Sequence, residues 1–353
     1  YHEDQIRLQK VNSLSKLKYT ILYIVLTLLF LSFSLPLQPK NRLLVVMQNQ
    51  FSRTQLLIGK PAMDTLSGAR VAVFGIGGVG SYVTEVLARS GVGELDIFDD
   101  DRVCLTNVNR QLYALLSTVG KHKVDVAEER IHDINRHCIV HKYQMFYLPE
   151  NADAIDLKQF DYVVDCIDTV SAKLELIKRC HRLHIPIISC MGAANKLDAT
   201  SFKVADINKT KMDPLAKVIR KKLRKLNIPR LKVVYSEEEP IKQIDDPNIS
   251  CRFHCICPDK DMRKCTDRRD IPASNAWVPA AAGLIIGGEV VKDLVKKANT
   301  LRIYPEEFET NPHAQAAAEK AKHHEDKYRK MMAEKRNGTW VDDKVVMKLP
   351  EGF

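Results

Sequence analysis

The chain has 353 residues, of which 45% are hydrophobic and 28% are charged, and these ordinary globular values exclude a disordered, a collagen-like or a wholly membrane-embedded protein. Its formal net charge of +10 favours an anionic partner such as a nucleic acid or a nucleotide. The 9 cysteines form no compact framework, which is typical of a reduced, cytoplasmic protein without structural disulfides.

Residues 1–46 differ from the rest of the chain. Residues 19–39 carry no charge and are long enough to span a bilayer, and a signal peptide has a similar arrangement. The alternative is a non-native extension upstream of a start at Met47. We interpret residues 1–46 as a hydrophobic N-terminal extension that is either membrane-spanning or non-native. The protein would be membrane-associated only if this extension is native.

Predicted strands and helices alternate after Met47. The predicted strands lie at 70–74, 94–98, 162–164 and 185–190, and the predicted helices lie at 81–90, 121–136, 170–183 and 280–298. This alternation predicts an α/β fold with a doubly wound, mostly parallel Rossmann-like sheet and flanking helices. We expect one domain at residues 47–300 and a charged, partly helical C-terminal tail at residues 301–353, with a helix beginning at Asn311-Pro312.

A glycine-rich turn directly follows the first predicted strand and opens the first helix. Its sequence, Gly75-Ile-Gly77-Gly78-Val-Gly80-Ser81, matches a nucleotide-binding pattern in which glycines let the backbone approach a phosphate group. The helix N-terminus then offers free N–H groups to the anion. Asp99 ends the second predicted strand, where an acid can bind ribose hydroxyls. These features fit a nicotinamide dehydrogenase equally well.

The segment that follows Asp99 favours a nucleotidyl-transfer enzyme over a dehydrogenase. It contains Asp101, Asn107, Arg110 and Gln111, and a dehydrogenase has no use for the amide and guanidinium groups at this spacing. Arg110 can fork onto phosphate oxygens, and Asn107 can orient them. An ordinary surface arginine is the alternative for Arg110.

Further charged residues complete the predicted site. Lys123 begins the helix predicted at 121–136 and can reach the phosphates from the other side, unless it is an ordinary surface lysine. Asp165 and Asp168 follow the strand predicted at 162–164, and Mg²⁺ prefers one or two carboxylates together with phosphates and water. Because Asp165 can instead cap the next helix, we expect Asp168 to be the metal ligand.

Residues 208–232 contain ten basic residues and one acid, Asp213. A basic helix of this density suits the phosphate backbone of RNA. The alternative is a solvated helix face, since the stretch has few aromatic residues for stacking on bases.

Four segments of the predicted site together resemble a known family. They are GIGGVGS at 75–81, DDDRVCLTNVNRQ at 99–111, VGKHK at 119–123 and DCIDT at 165–169. They are similar to the adenylating domain of the ubiquitin-activating-enzyme-like, ThiF/MoeB-type superfamily. Segments 191–195, 213–217, 232–236 and 275–283 further resemble the tRNA threonylcarbamoyladenosine dehydratases. The resemblance covers about residues 47–298 and leaves the N-terminal 46 residues and the tail unexplained.

This resemblance implies a role for each matched residue. The four glycines Gly75, Gly77, Gly78 and Gly80 would cradle ATP, and Asp99 would take its ribose. Its phosphates would be held by Asn107, Arg110 and Lys123, and Mg²⁺ would be bound by Asp168. Further ATP-binding residues would be Ser81, Asp101 and Gln111. Arg110, Lys123 and Asp168 are the expected catalytic residues. Arg53 matches an arginine that in relatives reaches the ATP of a partner subunit, which implies a homodimer.

The reaction implied by the resemblance is ATP-dependent adenylation of the carboxylate of threonylcarbamoyladenosine in tRNA, followed by internal attack that forms a cyclic base. One alternative is an adenylating activator of a ubiquitin-like or sulfur-carrier protein, which would have a sulfur-transfer partner protein. Another is a membrane-tethered nucleotide-binding scaffold without turnover.

Four cysteines lie close together at Cys251, Cys255, Cys257 and Cys265. Sulfur-carrier activators of the superfamily often bind structural Zn²⁺ through two Cys-x-x-Cys pairs, and the spacing here differs. Zinc binding and a redox-active or thioester-forming cysteine remain alternatives, and we favour incidental thiols in a flexible crossover loop. Cys190 is expected in the buried core.

Overall fold

The computed structural model describes residues 48–244, 246–248 and 272–337 of the chain. The expectations for residues 1–46 and for the cluster from Cys251 to Cys265 lie outside the described residues. The strands are β1 (Arg70–Phe74), β2 (Glu94–Phe98), β3 (Ile139–Tyr143), β4 (Tyr162–Asp165), β5 (Ile187–Cys190), β6 (Phe202–Asp206) and β7 (Lys232–Ser236). The α-helices are α1 (Ser52–Ile58), α2 (Lys60–Ser67), α3 (Gly80–Arg89), α4 (Lys123–Ile134), α5 (Val170–Arg182), α6 (Pro214–Lys225), α7 (Trp277–Ala298) and α8 (Pro312–Arg336).

The seven strands form one sheet in the order β3-β2-β1-β4-β5-β7-β6. Every neighbouring pair is parallel except β6 and β7, which pair antiparallel. The predicted fold class is therefore confirmed. The sequence prediction missed β3, β6 and β7, because β3 and β6 carry polar side chains that are only partly buried and so lack a continuous apolar run.

The centre of the sheet is buried on both faces by helices. Val71 and Val73 of β1 are fully buried beneath α3 and α7, in a cluster that includes Leu87 and Ile286. On the opposite face, Phe74 lies in a second cluster with residues of α5. Because apolar side chains from both sides hold β1 and β4 in place, the loops at their carboxyl ends start from fixed positions. Cys190, at the end of β5, is buried as expected.

Helix α8 packs against the sheet domain. It begins as predicted, since the side chain of Asn311 accepts a hydrogen bond from the His313 amide at 3.0 Å and caps the helix. His324 is buried, and its Nε2 lies 3.0 Å from the His137 carbonyl oxygen. Lys327 Nζ donates to Glu94 Oε2 at 2.6 Å, so the C-terminal helix is ion-paired to the first residue of β2. No helix within the described ranges is long and apolar enough to cross a membrane.

Glu94 joins α8 to the sheet and provides a test of this packing. Burial opposes the charge of its carboxylate, but His141 and Lys327, which lie within hydrogen-bond distance, and the nearby His324 ring outweigh burial and hold the pKa of Glu94 well below its ordinary value. We expect Glu94→Gln to lower the free energy of unfolding by about 2 kcal/mol at pH 7, because Arg70 and Lys327 lose a charged partner. Urea unfolding of both proteins measures this difference.

The difference between wild type and Glu94→Gln should narrow as the pH falls below the ordinary glutamate pKa of 4.5. In that range the unfolded wild-type chain takes up a proton that the folded chain does not, so the stability contributed by Glu94 is lost as the pH falls. Glu319→Gln, at an exposed position of α8, is the control and should change little. A difference that stays constant with pH would contradict the assigned ion pairs.

Candidate active site

A cavity of about 630 Å³ lies at the carboxyl ends of β1, β2, β4 and β5. The glycine turn after β1, the acidic segment after β2, the loop after β4 and the loop after β5 each contribute part of its wall. Parallel sheets bind ligands at this edge. The predicted glycine turn and the predicted charged residues therefore come together in one place although they are far apart in the chain.

The glycine turn can form only with glycine at its two ends. Gly75 has a φ of 83°, a backbone conformation that side chains disfavour. A Cβ atom on Gly80 would lie 1.8 Å from the Gly75 carbonyl oxygen, so no larger residue fits there. Gly77 and Gly78, between them, line the cavity and bring main-chain atoms to its surface.

Asp99 connects the glycine turn to the segment after β2. Its Oδ2 accepts a hydrogen bond from the Ile76 amide at 3.0 Å, and its Oδ1 accepts one from the Asp101 amide at 3.0 Å. Lys123 Nζ lies 3.2 Å from Asp99 Oδ1 and 2.6 Å from Asp101 Oδ2. The first residue of α4 thus places a cation between two carboxylates on the cavity wall.

The neighbouring charges of Lys123 and the three aspartates shift one another's pKa values. Burial opposes the charge on Lys123, but Asp99 and Asp101 outweigh it and raise the pKa of Lys123 above its ordinary value. Burial, together with the charges of Asp101 and Asp99, raises the pKa of Asp100 to about 6. Burial also raises the pKa of Asp99, although Lys123 opposes this. Lys123 therefore remains a cation throughout the neutral range.

The segment between Cys104 and Gln111 carries three predicted side chains to the cavity. Asn107 Oδ1 accepts a hydrogen bond from the Cys104 amide at 3.1 Å and holds a short 3₁₀ turn. Arg110 donates to the Thr106 carbonyl oxygen at 2.9 Å, which orients its guanidinium group. The cavity is lined by Asn107, Arg110 and Gln111. Their close spacing in the sequence therefore places all three on one wall.

The two aspartates after β4 have different surroundings. Asp165 is completely buried, and its carboxylate binds Lys173 Nζ at 2.8 Å and the Ser189 hydroxyl at 2.5 Å. Its other oxygen accepts a hydrogen bond from the Ile167 amide at 3.1 Å. Asp168 is exposed and lines the cavity. Asp165 is thus engaged in the core, and Asp168 is the aspartate that a ligand can reach.

The predicted site residues fall into two groups. Those that line the cavity are Gly75, Gly77, Gly78, Asp99, Asp101, Asn107, Arg110, Gln111, Lys123 and Asp168. Gly80, Ser81 and Arg53 lie outside its lining. Ser81 is buried, and its hydroxyl accepts a hydrogen bond from the Leu112 amide at 3.2 Å, so it supports the wall from behind. Arg53 is exposed on α1, and its predicted role depends on a second subunit.

Sequence reasoning assigned no role to two further parts of the cavity wall. One is apolar and lies beyond Asp99; it consists of Phe98, Met145, Phe146 and Tyr147. The other follows β5 and continues to the first residues of α6; it includes Met191, Gly192, Asn195, Lys196, Asp213 and Pro214. Segments 191–195 and 213–217 contributed to the family resemblance, but their residues were not predicted to lie at the site. Their position there depends on β5 lying beside β4.

Comparison with known proteins identifies the family. The ThiF family model matches residues 51–330, which is most of the chain. The chain belongs to the ThiF family. The predicted superfamily resemblance is therefore confirmed, and the ThiF match includes β1 to β7 and most of α8.

Characterised relatives narrow the comparison within the ThiF family. The chain is 48% identical over 258 residues to a tRNA threonylcarbamoyladenosine dehydratase of Bacillus subtilis (strain 168), covering 73% of this chain and 99% of the relative. It is 35% identical over 135 residues to a molybdopterin-synthase adenylyltransferase of Salmonella typhimurium (strain LT2), covering 38% of this chain and 53% of the relative.

Solved structures give the same result. The tRNA N6-threonylcarbamoyladenosine dehydratase of E. coli, crystallised in complex with AMP, matches with a TM-score of 0.61 at 32% identity, over 71% of this chain and 95% of that chain. The same protein in complex with ATP matches with a TM-score of 0.59 at 32% identity, over the same shares of the two chains.

Proposed function

We propose that this protein is an ATP-dependent dehydratase that adenylates the carboxylate of threonylcarbamoyladenosine in tRNA and converts the base to its cyclic form. The observation that carries this proposal is that one cavity combines a glycine turn, the acidic and basic side chains expected to bind ribose and phosphates, and the start of the basic helix α6. The similarity to a tRNA threonylcarbamoyladenosine dehydratase over nearly the whole length of that relative supports the same reaction.

Each part of the cavity suits one part of ATP. Asp99 would accept hydrogen bonds from the ribose hydroxyls, with Asp101 beside it, because an acid at the end of the second strand is placed for this contact. The adenine base of ATP would contact the apolar wall formed by Phe98, Met145, Phe146 and Tyr147. Arg110 and Lys123, together with the amides of Asn107 and Gln111, would hold the phosphates.

The proposed chemistry has two steps. A carboxylate oxygen of the substrate attacks the α-phosphorus, the bond to the β-phosphate oxygen breaks, and pyrophosphate leaves with the bonding electrons. The adenine N6 or the carbamoyl oxygen of the same modified base then attacks the activated carbonyl carbon. AMP leaves with the bonding electrons and the urea-type linkage loses one N–H proton, which closes a five-membered ring. Arg110 and Lys123 stabilise the negative charge that grows on the α-phosphate and on pyrophosphate. Overall, the modified base loses the elements of one water while ATP is converted to AMP and pyrophosphate.

We propose that Mg²⁺ accompanies ATP. Asp168 fits this ion, since Mg²⁺ is usually bound by one or two carboxylates together with phosphate oxygens and water. When bound, the ion would neutralise phosphate charge. The three aspartates Asp99, Asp100 and Asp101 have carboxylate oxygens within 4.8 Å of one another, so this wall carries more negative charge than Lys123 alone offsets.

The tRNA is expected to bind along α6, whose first residue, Pro214, lines the cavity. The structure corrects the expectation of a basic helix over 208–232, because the helix spans Pro214–Lys225 only. Arg220 donates to the Thr210 hydroxyl at 2.6 Å and to its carbonyl oxygen at 3.0 Å, and Lys232 pairs with Glu289 at 2.8 Å and with Asp293. These two residues stabilise the fold. The exposed basic residues of α6, here called the basic face, are Lys217, Lys221, Lys222, Arg224 and Lys225.

Reversal of charge on the basic face tests tRNA binding. We expect the triple variant Lys217→Glu, Lys221→Glu and Arg224→Glu to weaken tRNA binding and to flatten its dependence on salt, since each lost phosphate contact lowers the log–log slope by about 0.7 to 0.9. Filter binding at several salt concentrations measures both quantities, and ATP affinity should be unchanged. Unaltered tRNA affinity at moderate salt would rule out the basic face as the binding surface.

Conversion of purified modified tRNA tests the proposed function itself. With ATP and Mg²⁺, mass spectrometry of the nucleosides should detect loss of one water from threonylcarbamoyladenosine, and ATP–pyrophosphate exchange should require the modified tRNA. Exchange that depends instead on a small protein ending in Gly-Gly would favour the alternative of a sulfur-carrier activator with a sulfur-transfer partner.

The need for ATP suits the cytoplasm. We also propose a homodimer in which Arg53 reaches the partner's ATP.

A further inference from the structure

The loop after β5, residues 191–198, carries a lysine that the steps above do not use. Lys196 is only 4% exposed, yet it lines the cavity. Its Nζ donates a hydrogen bond to the Glu238 carbonyl oxygen. Across the described ranges, Lys196 forms no ion pair within 4.0 Å. A buried ammonium group with one neutral acceptor keeps donors and charge available for an anion.

The acidic side chains near Lys196 are bound to backbone amides. The carboxylate of Glu238 accepts hydrogen bonds from two amides of the β5 loop, each at 2.9 Å. The carboxylate of Asp213 accepts hydrogen bonds from the Gly192 amide at 3.0 Å and from the Ala216 amide at 2.8 Å. Both carboxylates therefore fix the shape of the loop. Burial lowers the pKa of Lys196, although Asp213 and Glu238 oppose this.

Other contacts hold Lys196 at a fixed point of the wall. Asn275 Nδ2 donates to the Lys196 carbonyl oxygen at 2.7 Å, and Trp277 Nε1 donates to the Leu197 carbonyl oxygen at 2.7 Å. The backbone of Lys196 is thus tied to the start of α7. A cation held in this way is pre-organised for a ligand, because little side-chain freedom remains to be lost on binding.

The position of the loop indicates which anion it receives. The reaction has two anionic groups, the phosphates of ATP and the carboxylate of the substrate. Arg110 and Lys123 serve the phosphates on the side of β1 and β2, whereas β5 lies two strands from β1, a separation of roughly 10 Å. The same loop adjoins Pro214, the first residue of α6, which carries the basic face. Lys196 therefore lies between the expected nucleotide position and the expected path of the tRNA.

We infer that Lys196 binds the carboxylate of the threonylcarbamoyl group before adenylation, and thereby selects tRNA that carries this carboxylate. The inference rests on the proposed function, since it assigns a residue to the recognition of that substrate. A charge-assisted hydrogen bond from a buried ammonium group to a carboxylate is stronger than one between neutral groups, so the contact should contribute measurably to specificity.

The test compares two forms of one tRNA, with and without the threonylcarbamoyl group. Wild type should bind the modified form more tightly. Lys196→Met should remove most of this preference and raise KM for the modified tRNA by roughly tenfold or more, while its affinity for unmodified tRNA and for ATP stays near the wild-type value. Lys196→Arg, which keeps the charge, should recover part of the preference. A residue that only supports the loop would instead alter binding of both tRNA forms.

Lys203→Met makes the same chemical change at an exposed position of β6 and serves as the control. If Lys196→Met does not fold, Lys196→Gln replaces it, since Gln retains a donor for the Glu238 carbonyl oxygen but no charge. An unchanged preference for modified tRNA in the folded variant would overturn the inference. If wild type itself fails to convert modified tRNA, the proposed function fails first, and the two failures are thereby distinguished.

Discussion

Replacement of Arg110 by alanine should reduce turnover about 100- to 1000-fold, because removal of one group that stabilises transition-state charge commonly has an effect of this size. The half-buried guanidinium group lines the cavity and donates hydrogen bonds to the Thr106 carbonyl oxygen and to Asn109 Oδ1, both within its own segment. Thermal unfolding should therefore change little. Steady-state conversion of modified tRNA, measured alongside a thermal melt, separates the two effects.

Arg136→Ala is the matched control, since Arg136 is exposed in the turn that follows α4 and lies outside the cavity lining. It should retain wild-type turnover. Asp168→Asn should behave like Arg110→Ala at low Mg²⁺, because the cavity would lose the carboxylate assigned to the ion. Near-normal turnover in purified Arg110→Ala would remove Arg110 from the proposed mechanism.

Lys173→Met should have the largest effect on stability, a loss of about 3 to 5 kcal/mol in the free energy of unfolding. Lys173 and Asp165 are both completely buried, and Lys173 Nζ also donates to the Ser189 hydroxyl at 3.1 Å and to the Cys190 carbonyl oxygen at 2.9 Å. Removal of the ammonium group leaves a buried carboxylate without its cation. Chemical denaturation at neutral pH measures the loss.

The control for this substitution is Lys178→Met, on the same helix α5, where Lys178 pairs with Glu175 near the surface and should contribute little. The double variant Lys173→Met with Asp165→Leu should recover part of the lost stability, because it removes both charges together. A cost for Lys173→Met equal to that for Lys178→Met would show that the buried pair is not required.

The site residues predicted from the sequence are those whose chemistry is encoded in short segments. The glycine turn, Asp99 and the spacing of Asn107 and Arg110 each lie in a continuous stretch next to a strand end. A parallel sheet brings such ends to one edge, so their meeting in one cavity follows from the strand pattern. In the sequence, Asp168 was preferred over Asp165 as the metal ligand only because Asp165 could cap the next helix. The structure gives a different reason, since Asp165 is buried and ion-paired with Lys173.

What the sequence could not provide depends on partners distant in the chain. Lys196 lines the cavity because β5 pairs with β4, and the strand order is not visible in a local pattern. Arg220 and Lys232 resemble the basic residues around them, but the acceptor of Arg220 is Thr210 and that of Lys232 is Glu289 on α7. Charge density alone therefore overestimated the surface available to RNA.

The docking of α8 has a consequence for synthesis on the ribosome. Lys327 follows its partner Glu94 by 233 residues, and Lys320 reaches back to Asp161 at 2.9 Å. While the sheet is being translated, Glu94 has no cation from α8, and the surface of α2 that α8 covers remains exposed. This edge can close only after α8 has left the exit tunnel. The uncovered surface of the nascent chain should therefore stay exposed until α8 has been translated.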